Sequence, residues 1–252
     1  MPRTLQATRY VTPLREGGSL PAIVEAEDLG MYVLKFRGAG QGPLALVAEW
    51  IAGEIGRAVG LPVPEIVLME IDAALGRNEP DQEIHDLLRA SIGLNLAIDY
   101  LPGSLMFDPA VPGQVPADVA SLAVWFDAFV TNVDRTPRNP NLLCWHKRLY
   151  FIDHGAALYW HHDWQDLEQK ARSRFAAIKH HVLLPWATDI REAGEAARAK
   201  LRRDVLEGIV GAVPEGWLGA ATREGYVDYF LRRLEAADGF TEEALSARAQ
   251  LV

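Results

Sequence analysis

The chain has 252 residues, with 34 acidic and 25 basic side chains, a formal charge of −9 and one cysteine. That length suits one large domain or two lobes, enough to bury a core without disulfides or a structural metal. A hydrophobic share of 49% and a charged share of 23% exclude disordered, collagen-like and coiled-coil classes. The acidic balance argues against a general binder of nucleic acid or anionic membrane.

Residues 9–36 read as three strands, Arg9–Leu14, Leu20–Ala26 and Met31–Phe36, with turns at GGS and DLG. The run GAGQG at 38–42 reads as a flexible joint. A helix follows from Leu44, with Val47, Ala48, Ile51, Ile55, Ala58 and Val59 on one buried face. Gly60 closes it, and Pro62 and Pro64 prevent its continuation. A strand over Ile66–Ile71, an acidic stretch to about residue 90, and an apolar segment Leu94–Leu101 come next, ended by Pro102-Gly103.

The proline-rich stretch 107–116 reads as a loop, and ADVASLAVWFDAFVTN after it as a nearly all-apolar, buried helix. Beyond the polar segment VDRTPRNPN lie two short strands, LLCWH and LYFID, joined by Lys147-Arg148; the remainder from about Trp164 reads as mostly amphipathic helix. The pattern is α+β: a strand-rich part with one helix, then a helical part, with a boundary near 101–104. Cys144 sits in the apolar run LLCW and reads as a buried, inert thiol. The start of the chain has no apolar signal core, and no apolar run approaches the ~18 residues of a membrane span, so cytoplasmic is the default expectation.

The chemistry gathers around the 142–152 hairpin. Asn139 enters its first strand and Asp153 leaves its second, so the two can approach although far apart in sequence. Two oxygen donors completed by phosphate and water suit Mg²⁺ rather than a soft metal. Asp134 can then stand beside the metal and accept a proton from an attacking hydroxyl. A lone Asp or Asn in a turn is usually a backbone cap; the combination is harder to dismiss.

The order buried helix, D-R-x-x-x-N, hairpin, I-D-x-G resembles the catalytic and metal loops of HipA-like kinases, which are related to the phosphatidylinositol 3/4-kinases. Here the motifs are Asp134-Arg135-Thr136-Pro137-Arg138-Asn139 and Ile152-Asp153-His154-Gly155. The resemblance implies a two-lobed protein kinase-like fold: a small antiparallel-sheet N-lobe with one helix over residues 1–101, and a mostly helical C-lobe over 102–252. It implies ATP and Mg²⁺, with Asp134 catalytic and Asn139 and Asp153 on the metal; Asn141 is a weaker alternative ligand. The chain departs at Thr136, where many relatives carry His, and at His154, where others carry Phe or Asn.

Lys35, in YVLKF, is the only lysine in the first 146 residues. It fits the strand lysine that holds nucleotide phosphates, the competing reading being an edge-strand lysine. Helical geometry leaves its partner open between Glu49 and Glu54; the resemblance favours Glu49. Gly17-Gly18-Ser19 joins the first strands, as a phosphate-cradling loop or a ligand-free turn. The resemblance further places adenine at backbone groups of Ile98, Asp99 and Tyr100, and makes Ser19 a candidate for autophosphorylation.

The implied activity is ATP-dependent phosphorylation of protein serine or threonine, with a nucleotide, a protein substrate and a possible antitoxin-type regulator as partners and no membrane. Rival readings are a nucleotide-binding pseudokinase or interaction module, a metal-dependent hydrolase using Asp134, Asp153 and His161-His162-Asp163, and a small-molecule kinase. Residues 165–203 carry nine Lys/Arg against five Asp/Glu, with His180 and His181. They read as a solvated helical face or a docking surface for an acidic substrate or tRNA.

Overall fold

The computed structural model describes residues 2–14, 20–77, 79–111, 113 and 115–251. The segment holding Gly17, Gly18 and Ser19 lies outside them. Strands β1 (Thr4–Pro13), β2 (Ala22–Ala26), β3 (Met31–Lys35), β4 (Ile66–Ile71) and β5 (Gly93–Asp99) form a closed barrel in the order β1-β2-β3-β5-β4. Every pairing is antiparallel except β1 with β4, which run parallel from Thr4 opposite Leu68. The expected sheet is therefore a barrel, closed by a long-range contact that local patterning does not encode.

Strand period two decides what each barrel face buries. Val67, Met69 and Ile71 of β4 and Ala97 of β5 join an inner cluster with Leu5, Val24, Tyr32 and Leu34. Their alternates Ile66, Leu68, Leu96 and Ile98 belong instead to the main core. Both faces of β4 and β5 are thus covered, which explains the nearly unbroken apolar run of β4.

Helix α1 (Gly42–Val59) begins with Pro43 in its first turn and ends at Gly60, whose φ of 108° closes the last turn by N–H bonds to the Arg57 and Gly56 carbonyls. The single buried face expected for it is too narrow. Residues 46–53 are all buried, because α1 packs on the barrel on one side and on helices α5 (Ile190–Lys200) and α6 (Arg203–Gly211) on the other. The joint before it is also less free than expected: Arg37 N–H donates to Asn95 and Gly38 N–H to Ser91 Oγ. A further helix, α2 (Gln82–Ala90), occupies the acidic stretch, so the strand-rich part holds two helices rather than one. Only Ile84 and Leu88 of it are buried, too thin an apolar stripe to read from sequence.

After the turn at Pro102-Gly103, strands β6 (Leu105–Met106), β7 (Leu142–Trp145) and β8 (Arg148–Phe151) make a small antiparallel sheet in that order. The β7–β8 turn falls at His146-Lys147, both at positive φ, one residue earlier than expected. Helix α3 (Ala117–Phe129) runs through the main core. Of the stretch from about Trp164 expected to be mostly amphipathic helix, residues up to 189 hold only short 3₁₀ turns and the five-residue helix α4 (Leu167–Ala171); α7 (Arg223–Glu235) and α8 (Ala237–Ala249) complete the chain.

Two buried groups lock this assembly. Arg233 of α7 is inaccessible to solvent and donates to carbonyls of Ala128 and Phe129 at the end of α3, and of Ala171 and Ser173 at the end of α4. It thereby satisfies acceptors that helix ends leave open. Trp125 of α3 lies against Gly194 of α5 so closely that a Cβ there would collide with its indole. We expect Gly194→Ala to destabilise the chain by about 1–3 kcal/mol, measured as a lowered urea midpoint with unchanged m-value.

Candidate functional site

Lys35 takes its direction from strand register. It pairs opposite Leu96 in β5, and opposed residues share a face, so its side chain points with Leu96 and Ile98 towards α1. There its Nζ lies 2.5 Å from Glu49 Oε2 and 2.7 Å from Asp153 Oδ1. Glu54, the other helix carboxylate considered, pairs with Arg57 instead. Glu49 is fully buried and the Lys35 side chain 14% exposed, while the Asp153 side chain is 53% exposed. Burial opposes charge on Lys35, but the Glu49 and Asp153 carboxylates outweigh it and hold the ammonium above the ordinary lysine range. Burial would likewise raise Glu49, yet Lys35 and then His154 hold it well below the usual carboxylate range.

A second group surrounds Asp134. Its Oδ2 accepts from Asn139 Nδ2 at 2.7 Å and Asn141 Nδ2 at 3.2 Å, while its backbone N–H is bound by Asn132 Oδ1. The β7–β8 ladder carries on past Leu142 and Phe151, with Ile152 N–H donating to the Asn141 carbonyl at 3.1 Å. That pairing sets the Asp134 loop beside the chain that leads into Asp153. Asn141 and Asp153 both hold positive φ, a conformation that costs energy for residues other than glycine.

A buried cluster that sequence reasoning missed anchors these loops. Asp127 of α3 accepts from Arg135 Nε at 2.6 Å, His181 Nε2 at 2.8 Å and Asn132 Nδ2 at 2.9 Å. His181 Nδ1 accepts from Leu183 N–H, so its proton sits on Nε2 and is given to Asp127. Arg135 reaches on to the carbonyls of Asn141 and Ile152, one on each side of the hairpin's open end. Burial would raise Asp127, but Arg135 and then His181 hold it below its usual range. His181 therefore does not lie on the solvated face expected for residues 165–203. The one available signal was a carboxylate deep inside a nearly all-apolar helix.

Two other expectations meet the structure differently. The N–H of Asp99 donates to the Glu65 carbonyl and that of Tyr100 to the Met31 carbonyl, so these two amides are engaged within the barrel. In the 161–163 cluster His161 is buried against the Tyr226 hydroxyl and Asp163 pairs with Lys170. Burial, then neighbouring His162, lower His161 to about 3. Among the described residues no three His, Cys, Asp or Glu side chains are grouped to hold a metal ion.

A cavity of about 30 Å³ abuts Lys35, Glu49, Asp153 and Gly155. Clefts of about 500, 450 and 420 Å³ lie elsewhere and are lined by none of these residues. The oxygens present suit a hard cation: a half-exposed Asp153 carboxylate, and an exposed Asn139 whose amide nitrogen is turned to Asp134.

Comparison with solved structures identifies the class. The chain resembles a Helicobacter pylori proinflammatory kinase, CtkA, at 13% identity and a TM-score of 0.57, over 94% of each chain. It also resembles the Golgi casein kinase, solved with Mn and ADP bound, at 10% identity and a TM-score of 0.51. That match covers 96% of this chain and 73% of the other. The fold is that of protein kinases, α+β with its sheet in the N-terminal part and its helices mostly in the C-terminal part. Residues 8–237 match the HipA-like kinase family, and the chain belongs to that family. No curated protein matches it, and among the described residues no helix is long and apolar enough to cross a membrane.

The two low carboxylates set the acid limit of the fold. Their contribution is fully present above the ordinary values of 4.5 for Glu49 and 3.8 for Asp127, and is lost as pH falls towards their lowered folded values. We expect the urea midpoint to drop below about pH 4.5 and to drop less steeply in Asp127→Asn. At neutral pH that variant should lose about 3–5 kcal/mol, because it leaves Arg135 buried without its counter-charge.

Proposed function

We propose that the chain is an ATP- and Mg²⁺-dependent protein serine/threonine kinase, with its nucleotide between a barrel lobe and a helical lobe. The observation that carries the reading is the ammonium of Lys35 shared by Glu49 and Asp153. It joins a barrel strand, helix α1 and the loop leaving the hairpin at one point.

In this reading Glu49 fixes the direction of Lys35, whose charge orients nucleotide phosphates. Asp153 and Asn139 would hold Mg²⁺, which when bound neutralises charge on phosphate oxygens. Asp134 receives the acceptor hydroxyl. Asn139 and Asn141 both donate to Asp134 Oδ2, so that oxygen is fixed and Oδ1 is left to face the hydroxyl and take its proton. The buried network around Asp127 and Arg135 keeps this loop from drifting, and positional error is costly in phosphoryl transfer. Family membership supports the reading. A protein acceptor is favoured over a lipid because nothing in the sequence resembles a lipid-binding element. Phosphate contacts by Gly17, Gly18 and Ser19, and modification of Ser19, belong to the same proposal.

The test is ATP consumption and phosphotransfer to a mixed protein substrate, with Mg²⁺ and with chelator. Lys35→Met and Asp153→Asn should abolish measurable turnover. Asp134→Asn should lower kcat about 10²- to 10⁴-fold while nucleotide affinity, measured by calorimetry, stays close to that of the parent. Nucleotide binding without turnover in the unmodified chain would overturn the enzyme in favour of a binding module.

A further inference from the structure

His154 follows Asp153 and is completely buried. Its ring meets the edge of Phe126 at 5.9 Å and lies beside Gly53 of α1, where a Cβ would sit 3.8 Å from Nδ1. Glu49 bonds Lys35 through Oε2; its other oxygen, Oε1, faces His154 Nδ1 at 3.5 Å. Glu49 Oε1 and both His154 nitrogens are buried without a hydrogen-bond partner among the described residues. Such unmet groups are costly in a core and rarely persist without a purpose. Here Glu49 Oε1 and His154 Nδ1 face each other, a few tenths of an ångström beyond a formed bond.

The result is a closed ring. Lys35 bonds Glu49, Glu49 faces His154, His154 is joined through the chain to Asp153, and Asp153 returns to Lys35. We propose that His154 is a positioning residue: its Nδ1–H holds the second oxygen of Glu49 and so ties helix α1 to the loop carrying Asp153. A shift of that loop is then felt by the Lys35–Glu49 pair through two routes, the ammonium and the imidazole. The consequence for phosphate transfer rests on the kinase reading; the positioning itself does not.

Two substitutions separate positioning from mere filling of space. His154→Phe keeps the ring volume and loses the donor, while His154→Asn loses the ring and keeps an N–H near the place of Nδ1. His154→Leu is a second apolar variant should the Phe protein fail to fold. The readout is acetylation of Lys35 in the nucleotide-free full chain, quantified by mass spectrometry. Lys200, bonded to the Val59 carbonyl at the far end of the same helix, reports any general loosening.

Positioning requires that the Phe or Leu variant raise Lys35 labelling relative to Lys200 by about fivefold or more, with Asn staying near the parent. Unchanged labelling in the apolar variants, or Asn as labile as Phe, overturns it. Turnover gives the second readout. The Phe variant should lose about 10- to 100-fold in kcat/KM for Mg·ATP, and Asn should recover most of it. A parent chain that neither binds nor consumes ATP refutes the kinase reading alone, because the labelling still decides on His154.

Discussion

One ammonium group joins the parts of this protein. Lys35 comes from the barrel, Glu49 from the helix packed against it, and Asp153 from the segment leaving a hairpin more than a hundred residues later. Two carboxylates this close repel one another unless a cation stands between them. A buried ion pair adds little net stability over apolar packing of the same volume. What this one contributes is location: strand register, helix burial and hairpin exit must all be right before three charges can meet.

The fold holds a second ionic cluster of opposite character. Asp127 is wholly buried, and its oxygens are met by Arg135, Asn132 and His181. Nothing remains for it to bind. Asp153 shows half its side chain to solvent, and Asp134 has one oxygen tied by two amides. The contrast separates carboxylates that build the frame from those that can meet a ligand, and the first kind holds the second in place. Arg135 does so directly, since it touches both flanks of the hairpin mouth.

Much of the site could be read from the sequence because its residues interrupt a pattern. Lys35 breaks an apolar strand, and Asp134 and Asn139 fill a polar break between a buried helix and a hairpin. Asp127 interrupts a pattern too, but an isolated polar residue in a nearly all-apolar helix passes for its solvent side when no polar side exists. His181 was hidden by basic neighbours and lies 54 positions from Asp127. The choice between Glu49 and Glu54 was open to helical geometry, since both flank the apolar stripe. Tertiary packing decided it: α1 is covered on both sides, and only Glu49 faces the strand. The hydrogen bonds of Asp99 and Tyr100 were out of reach for a similar reason, because they depend on which strands flank β5.

The parallel seam between β1 and β4 bears on how the chain is made. Thr4 finds its partner only at Leu68, whereas β2 can fold onto β1, and β3 onto β2, as soon as each is complete. Until β4 arrives, the open side of β1 offers unpaired amides and carbonyls to any passing strand. During synthesis at ~5–20 residues per second that interval lasts several seconds. The first strand is therefore exposed during synthesis, and a pause in translation just after β1 would lengthen its risk.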